Sequence, residues 1–416
     1  MSDGASPGAR AAGDPSASGR DPGYIRARVK KPSPLPILFI IVFIDLLGFG
    51  MVMPLMARYA RELGAPVEYI GLLFTGYSAM QFVFAPLWGR LSDRVGRRPV
   101  LLVSIALSAV AFFLSGLSRT FLALLLTRLF AGAATANIAI AQAYVADVTA
   151  PEDRARGMGV IGAAFGLGFV LGPPIGGLLA GLHLGAPFFG AAALALLNGT
   201  AAFFILPEPL ARKERAAPTS RLEELREAFA RPGFPRLLVF YFLIVFAFSA
   251  MESTFTLLAA DRYGLSDRQV GYVFGFIGVV MVIVQGGLVG RLSRRFGEVV
   301  MLASGASLMV IGLGSLPYAG GVPGLLAACV PLAVGQGFAQ PAVTSLISRL
   351  AAAESQGGSL GLGQSVAAIG RIVGPESGTY TFKQSMAWPY LGGAAVMLAA
   401  SIIGWTIKPP PRARRA

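Results

Sequence analysis

The chain has 416 residues, of which 55% are hydrophobic and only 13% are charged. Soluble domains carry about 25% charged residues, so this composition excludes an ordinary soluble protein and indicates an integral membrane protein in contact with lipid. The net charge of +14 is spread over short loops, as suits anionic lipid headgroups. It forms no patch of the kind that binds nucleic acid, and no nucleic-acid partner is expected.

The first 34 residues are rich in Gly, Ala, Ser, Pro and Arg and show no apolar periodicity, which predicts a disordered cytoplasmic tail. The first apolar run has the length of a membrane span and lacks a small-residue cleavage site, so we expect it to be retained. Runs of about 20 apolar residues can cross a bilayer. They predict an all-α integral membrane protein with twelve transmembrane helices, at 35–56, 69–89, 99–117, 120–145, 157–181, 186–206, 236–258, 269–289, 299–319, 322–347, 358–382 and 387–406.

These spans divide into an N-terminal six-helix half at 35–206 and a C-terminal six-helix half at 236–406, followed by a basic tail at 407–416. The linker at 207–235 is charged, and Ser220 and Glu223 have the spacing of a capping box. A short amphipathic helix is predicted there. It would lie against the bundle or the lipid headgroups, or it would bind a partner.

A short sequence is repeated between the second and third spans of each half. GRLSDRVG at 89–96 returns 201 residues later as GRLSRRFG at 290–297, identical at six of eight positions. Gly-Pro at 172–173 returns 202 residues later at 374–375. Parallel repeats around a central cavity are an architecture of transporters, so the duplication predicts transport.

Most of the 35 Lys and Arg residues lie on one side of the predicted spans if both termini share that side. Lys and Arg stay preferentially on the cytoplasmic side of a membrane. We therefore expect both termini in the cytoplasm and the protein in the cytoplasmic (plasma) membrane.

Five charged residues fall within predicted spans, where a charge costs about 2.5–3.5 kcal/mol or more at the bilayer centre: Asp45, Arg128, Glu252, Arg371 and Glu376. Burial away from water favours the neutral form of a carboxylate. The three acids are therefore candidate proton carriers, and the two arginines are candidate partners in proton coupling. The alternative for Arg371 and Glu376 is a structural ion pair within one helix. Asp45 has no partner evident from the sequence.

Polar residues recur on one helical face of three spans, at intervals of three, four or seven. As a set they are expected to line a substrate cavity, whereas for any single residue a hydrogen bond between helices is the alternative. The set comprises Thr135 and Gln142 with Arg128 on the fourth span, Ser249, Ser253 and Thr256 with Glu252 on the seventh, and Gln336, Gln340 and Thr344 on the tenth.

The ten residues at 89–98 resemble the signature between helices two and three of the major facilitator superfamily. In that family the acid, here Asp93, latches against the start of helix eleven, here near Gly357, and holds the cytoplasmic gate closed. Asp93 and Arg97 also have the spacing to interact with each other, and an acid beside a helix N-terminus is favoured by the dipole. The second copy has Arg294 in place of the acid and should not form the same latch. The gate residues that the resemblance implies are Gly89, Asp93, Arg94, Gly96 and Arg97, with Asp147, Asp153 and Arg154 as a supporting charge network.

The fifth span resembles the motif of the exporting members, the drug/proton antiporters, at Gly168, Gly172, Pro173, Gly176 and Gly177. Proline lets a helix bend and glycine permits close packing, so we expect this segment to pack against the second half. The first span, Asp45-x-x-Gly48-x-Gly50-x-x-x-Pro54, is similar to the twelve-helix antiporters and to tetracycline exporters in particular. Arg128-x-x-x-Gly132 resembles the fourth-helix motif, whose arginine is implicated in proton transfer.

The resemblance implies proton-coupled export of small amphipathic or drug-like molecules by alternating access, with protons, the substrate and membrane lipid as partners and no cofactor. A sugar or metabolite exporter of the same fold is the near alternative, and a non-transporting membrane sensor or scaffold is an alternative of another class. Enzymatic chemistry and a metal site are not expected, because Cys329 and His183 are the only residues of their types. We expect a monomer.

Overall fold

The computed structural model describes residues 34–149, 154–209, 229–231, 233–350 and 356–407, which belong to one compact unit. The side chains of 154–158, 356–358 and 360 are also outside the description. The predicted N-terminal tail, the capping box at Ser220 and Glu223, Asp153 and the C-terminal tail from 408 onward therefore lie outside the described residues.

Twelve long helices follow one another in the described part of the chain: α1 (Leu35–Glu62), α2 (Val67–Val95), α3 (Arg97–Gly116), α4 (Phe121–Val148), α5 (Arg154–Ala180), α6 (Ala186–Ile205), α7 (Phe234–Tyr263), α8 (Asp267–Phe296), α9 (Glu298–Tyr318), α10 (Gly321–Leu350), α11 (Gln356–Gln384) and α12 (Trp388–Thr406). Each predicted span coincides with one helix, and the helices run furthest past the predicted ends in α1, α2 and α8. Eleven of them are long and apolar enough to cross a bilayer. The predicted all-α membrane fold is confirmed.

Within the described residues, α11 is the long helix that falls short of the hydropathy of a membrane span. Its sequence carries Gln364, Arg371, Glu376 and Lys383. It packs against α7 on one side and α2 on another, so neighbouring helices cover much of its surface. Polar residues of membrane helices face the bundle interior, which explains why this helix carries so many.

The two halves repeat one packing scheme. In the first half α1 packs against α5 and α3 against α6, and in the second half α7 packs against α11 and α9 against α12. Two helix pairs make the main contacts between the halves, α2 with α11 and α5 with α8. The duplication seen in the sequence is thus reflected in the helix contacts.

Ion pairs join the halves at the end of the bundle that holds the loop from Leu63 to Pro66, which we name the closed end. Each pair links a residue of α1 or α2 to one of α7, α8 or α11. They are Arg61–Asp261 at 2.6 Å, Arg58–Asp267 at 2.9 Å and Lys383–Glu68 at 2.6 Å.

The opposite end, which holds Pro34 and Gly96, we name the open end. Glycines on the four helices that join the halves lie here: Gly89 on α2, Gly162 on α5, Gly286 on α8 and Gly361 on α11. A Cβ built on any of them would meet no neighbouring atom of the described residues within 4 Å. The same helices touch at the closed end, so the two halves diverge toward the open end.

Helix α4 is interrupted at 135–136 into the segments Phe121–Ala134 and Asn137–Val148. The hydroxyl of Ser104 on α3 donates to the carbonyl of Ala134 at 2.9 Å and accepts from the backbone N–H of Ala136 at 2.9 Å. The indole of Trp88 on α2 donates to the carbonyl of Ala133 at 2.7 Å. These contacts satisfy backbone groups that lipid could not, and they stabilise the break.

Candidate functional site

A small pocket with charged and apolar lining residues lies inside the first half, among α1, α2, α3 and α4. Its volume is about 20 Å³, room for about one water molecule. Three residues predicted from the sequence, Asp45, Arg128 and Thr135, meet in it. The full lining is Asp45, Phe49, Tyr77, Ser108, Ala111, Phe112, Arg128, Ala131 and Thr135.

The carboxylate of Asp45 has a partner that the sequence did not reveal. The side-chain amide of Asn137 donates to Oδ1 of Asp45 at 2.6 Å and lies 3.4 Å from the hydroxyl of Ser108. Asn137 is the first residue of the second segment of α4, so the break in that helix positions the amide. The N-terminus of a helix segment also favours negative charge nearby. The charged form of Asp45 is therefore stabilised from α4.

Arg128 shares this pocket, and its residue surface is 2% exposed. Its guanidinium lies over the ring of Tyr77, 4.4 Å from the centroid, and Nη2 is 3.8 Å from the sulfur of Met53. Its Nε has no hydrogen-bond partner among the described residues. Within that part of the chain no ion pair links Arg128 to Asp45, so acid and base occupy one pocket without touching.

The charged candidates of the second half lie outside this pocket. Arg371 acts electrostatically on Glu252 in its own half and on Tyr77 in the first half. It forms no ion pair with Glu376 in the part of the chain that the structure describes, because five residues of a helix turn the side chains about 140° apart. The structural pair considered for these two residues is thus not formed. Oε2 of Glu376 is buried without a partner among the described residues.

The predicted cavity residues of α7 lie where this helix packs against neighbouring helices. The hydroxyl of Ser253 donates to the carbonyl of Ala250 in its own helix at 3.0 Å and lies 3.5 Å from the carbonyl of Pro375 on α11. The hydroxyl of Thr256 donates to the carbonyl of Pro54 on α1. Ser249 is buried beside α11. For these three the contacts favour a place in a helix interface over a place in the cavity lining. Glu252, on the same helix, has no hydrogen-bond partner within the described residues.

On α10, the amide of Gln340 donates to the hydroxyl of Tyr241 at 3.1 Å, while Thr344 donates to the carbonyl of Gln340 in its own helix. Gln336 is buried. On α4, Gln142 is exposed and is not part of the pocket lining. The seven-residue recurrence that begins at Arg128 does not place Gln142 on the same face as Arg128, because the helix is interrupted at 135–136.

The glycine motif of α5 has two faces. A Cβ on Gly176 would lie 2.1 Å from the carbonyl oxygen of Met51 on α1, whereas one on Gly177 would lie 2.7 Å from that of Asp267 on α8. The expected packing against the second half is therefore correct for Gly177 and Pro173, which meet α8. It is wrong for the residues spaced four apart, which share a face and pack on α1 within the same half: Gly168, Gly172 and Gly176.

At the open end, Arg97 bridges two acids and is 6% exposed. Nη1 lies 2.7 Å from Asp93 and Nε lies 2.8 Å from Asp147. The predicted contact between Asp93 and Arg97 is confirmed. Gly96 adopts a φ of +121°, which favours glycine, while Gly89 and the exposed Arg94 flank the cluster. The side chain of Arg154 and the surroundings of Gly357 lie outside the described residues, so the latch to α11 stays a prediction.

Glu208 completes this cluster, although the sequence offered no motif for it. Its two carboxylate oxygens accept from the backbone N–H groups of Arg97 and Arg98, at 2.8 Å and 3.0 Å. A carboxylate at a helix N-terminus satisfies unpaired donors and complements the dipole. The chain segment after α6 is thereby fastened to the start of α3.

A family model described as Major Facilitator Superfamily matches residues 38–375, which is most of the chain. The chain belongs to the major facilitator superfamily. The predicted family is confirmed, and this superfamily member is a multi-pass integral membrane protein.

Two bacterial relatives illustrate its position within the superfamily. "Multidrug resistance protein 1" of Bacillus subtilis is 30% identical over 383 residues, which cover 90% of this chain and 97% of the relative. "Tetracycline resistance protein, class C" of Escherichia coli is 30% identical over 383 residues, which cover 89% of this chain and 96% of the relative. The likeness to tetracycline exporters predicted from the first span is supported.

Solved structures of superfamily members share the fold. The human organic anion transporter MFSD10 (TETRAN) is 28% identical with a TM-score of 0.69, over 90% of this chain and 100% of the other. The nucleoside transporter NupG has a TM-score of 0.72 at 14% identity, over 90% of this chain and 98% of the other. The second likeness bears on the fold alone.

Proposed function

We propose that the protein is a proton-coupled exporter of small amphipathic or drug-like molecules, working as a monomer by alternating access. The observation that carries this proposal is the carboxylate of Asp45 within a membrane-spanning helix, bonded to Asn137 at 2.6 Å in a pocket shared with Arg128. An acid in such a place binds or releases a proton as its surroundings change. Relatives named for multidrug resistance and tetracycline resistance support drug export.

The proposed location is the cytoplasmic membrane, with both termini and the open end facing the cytoplasm. The Lys and Arg residues concentrate in the loops at that end, as cytoplasmic loops do. Substrate would then enter between the diverging halves from inside the cell. Release outside requires that the ion pairs of the closed end separate while the open end closes.

The contacts of the first-half pocket support the proposed proton coupling. The charged carboxylate of Asp45 is stabilised by the amide of Asn137, and a proton on Asp45 weakens that stabilisation. The relative free energies of the two facing states then differ between the protonated and the charged protein. Glu252 and Glu376, which lie outside this pocket, are proposed as secondary carriers.

The test is transport in proteoliposomes with an imposed pH gradient, using tetracycline and ethidium as probes. Asp45→Asn keeps the shape of the side chain and removes its proton site, so gradient-driven transport should fall to the level of empty vesicles. Glu252→Gln and Glu376→Gln should give partial losses. The control is Arg119→Gln, which removes an exposed charge in the loop after α3 and should transport like the unmodified protein. Uphill transport at the native rate by Asp45→Asn would exclude Asp45 as an obligatory proton carrier.

A further inference from the structure

Helix α8 contains one residue more than its counterpart α2 in the first half. α2 has 29 residues and α8 has 30. Toward the closed end Gly271 lies 200 residues after Gly71, and each packs against the proline of a repeated Gly-Pro pair, on α5 and α11 respectively. Toward the open end Gly290 lies 201 residues after Gly89. The extra residue therefore falls between Gly271 and Gly290.

The structure accommodates the extra residue in a π-helical turn at Val284–Leu288. There the backbone N–H of Val289 bonds to the carbonyl of Val284, five residues earlier. Helices bend at π-helical turns and at proline, and π-helical turns are frequent at functional sites. α2 has Pro86 inside the helix, 201 residues before Gly287. Both helices thus have a point of bending at the same level, but only α8 has a spare residue there.

The two parts of α8 that the turn separates are packed differently. Before the turn, a Cβ on Gly271 would lie 2.5 Å from the carbonyl oxygen of Pro173 on α5. At the start of the turn, Val284 is buried against α10, where a Cβ on Gly337 would lie 2.8 Å from its side chain. After the turn, none of the eight residues Val289–Phe296 is buried within the described structure. The turn therefore joins a tightly held part of the helix to a part with few neighbours.

The contacts between α5 and α8 follow one antiparallel register that ends at the turn. Equal steps back along α5 and forward along α8 connect the residues in contact, which are Gly177 with Gly271, Val170 with Gly278 and Gly166 with Val282. The next pair in this register, four residues further on, is Gly162 and Gly286. A Cβ built on either would meet no atom of the described residues within 4 Å. Two glycines, which permit the closest approach of helices, thus lie where α5 and α8 have separated.

We propose that α8 bends at the π-helical turn when the open end closes, and that Gly286 then packs against Gly162 of α5. This inference rests on the proposed alternating access and identifies where one helix changes shape during it. The bend lets the segment after the turn approach α5 without displacing Val284 from α10. Gly286 and Gly287 carry no side chains that oppose the change in backbone geometry.

The test is disulfide cross-linking between α5 and α8 in purified protein in lipid nanodiscs, without a gradient or a substrate. Gly162→Cys and Gly286→Cys are combined in a Cys329→Ala background, and the control pair has Gly287→Cys in place of Gly286→Cys. Adjacent helical residues point in different directions, and the Cβ atoms of a disulfide lie about 3.5–4.5 Å apart. Under oxidation by copper phenanthroline the first pair should therefore cross-link about tenfold faster than the control pair.

Deletion of Gly287 tests the turn itself, because it shortens α8 to the length of α2. The turn should become α-helical, so amide hydrogen exchange at 284–288 should slow. Cross-linking between Gly162→Cys and Gly286→Cys should fall about tenfold, as expected when bending costs about 1.4 kcal/mol more. Gly287→Ala keeps the length of the helix and has room for the added methyl group. It is the matched control, and its cross-linking rate should stay within about twofold of the native rate.

Each outcome decides one part of the proposal. Equal cross-linking of the two cysteine pairs, or none in either, overturns the packing of Gly286 on Gly162, and this comparison does not depend on the deletion. A native cross-linking rate after deletion of Gly287, in protein shown to be folded by thermal unfolding, overturns the hinge. Gradient-driven transport is measured separately. Its absence in the unmodified protein would remove the proposed function while the cross-linking result stands, and native transport after the deletion would remove the hinge alone.

Discussion

Arg97 and Glu298 occupy corresponding positions of the two repeats and carry opposite charges. Each is the first residue of its helix and lies 201 residues from the other, the same offset as the repeated loop sequence. Arg97 pairs with Asp147 near the end of α4 at 2.8 Å, and Glu298 pairs with Arg349 near the end of α10 at 2.9 Å. The same link between helix ends is thus built twice with the signs exchanged.

The exchange is consistent with the helix dipoles. In the second half the acid is at a helix N-terminus and the base at a helix C-terminus, as the dipoles favour. The first half has the opposite order, and there Glu208 supplies the missing acid by accepting from the backbone N–H of Arg97. The first-half link therefore needs a third residue that the second half does not.

The two links should differ in strength, because the side chain of Arg97 is 7% exposed, whereas that of its counterpart Glu298 is 17% exposed. Their partners, Asp147 and Arg349, are similarly exposed. A double-mutant cycle of Arg97→Gln and Asp147→Asn should give a coupling free energy of about 1–3 kcal/mol. The equivalent cycle of Glu298→Gln and Arg349→Gln should give about 1 kcal/mol or less. Unfolding in a denaturing detergent series measures both. Equal couplings in the two halves would contradict the role assigned to burial.

The ion pairs of the closed end should stabilise the conformation in which the two halves are apart at the open end. Arg61 binds both carboxylate oxygens of Asp261, at 2.6 Å and 2.7 Å, so Arg61→Gln should shift the population toward the opposite facing state by about twofold to fivefold. The reporter is Thr379→Cys in a Cys329→Ala background. Thr379 lies on α11, faces α2 and is 0% exposed. An impermeant maleimide added at the closed end should label it faster. Arg119→Gln, an exposed charge in a loop at the same end, should leave the labelling rate unchanged.

Adjacent glycines of α5 should respond differently to one added methyl group. Gly177→Ala presses on the backbone of Asp267 in the second half, so it should open the closed end and accelerate labelling at the same cysteine. Gly176→Ala presses on Met51 within its own half, so it should lower the melting temperature instead. Export should decline in both variants. The same response in both would show that the two faces of α5 are not distinct.

The break in α4 should depend on Ser104. Its hydroxyl makes two hydrogen bonds to the backbone on either side of the break, and Ser104→Ala leaves a buried N–H unsatisfied, which costs about 1–3 kcal/mol. Ser365→Ala removes a hydroxyl that bonds only to its own helix at 3.0 Å and serves as the control. Thermal unfolding in detergent compares them. Gradient-driven transport should fall in Ser104→Ala as well, because the break positions Asn137 against Asp45.

The sequence predicts the architecture well because lipid imposes a length and an apolar composition on each span. It also identifies Asp45 and Arg128, since a charge inside a span is conspicuous. It does not reveal the partner of Asp45, because Asn137 lies 92 residues away and reaches it only through the break in α4. That break has no proline and is stabilised by Ser104 and Trp88 from other helices, so local sequence carries little sign of it.

Side-chain direction is the other limit of the sequence. The spacing of Ser253 and Thr256 with Glu252 is compatible with a face that lines a cavity and equally with a helix–helix interface. Only the positions of the neighbouring helices distinguish the two. The glycine motif of α5 predicts one interface although its residues divide between two, because a motif gives spacing and not the identity of the partner helix. Glu208 lies outside any motif, and its role depends on where the chain returns after α6.

The polarity of α11 has a consequence for how the chain is inserted during synthesis. A segment enters lipid by itself only if its hydropathy is sufficient, and α11 lacks that hydropathy although it lies among eleven helices that have it. Both helices that cover it, α2 and α7, precede it in synthesis. We expect α11 to insert in company with α7 and not alone. Glycosylation mapping of 356–384 in a neutral carrier protein should therefore find it outside the membrane, whereas adding 234–350 before it should restore insertion.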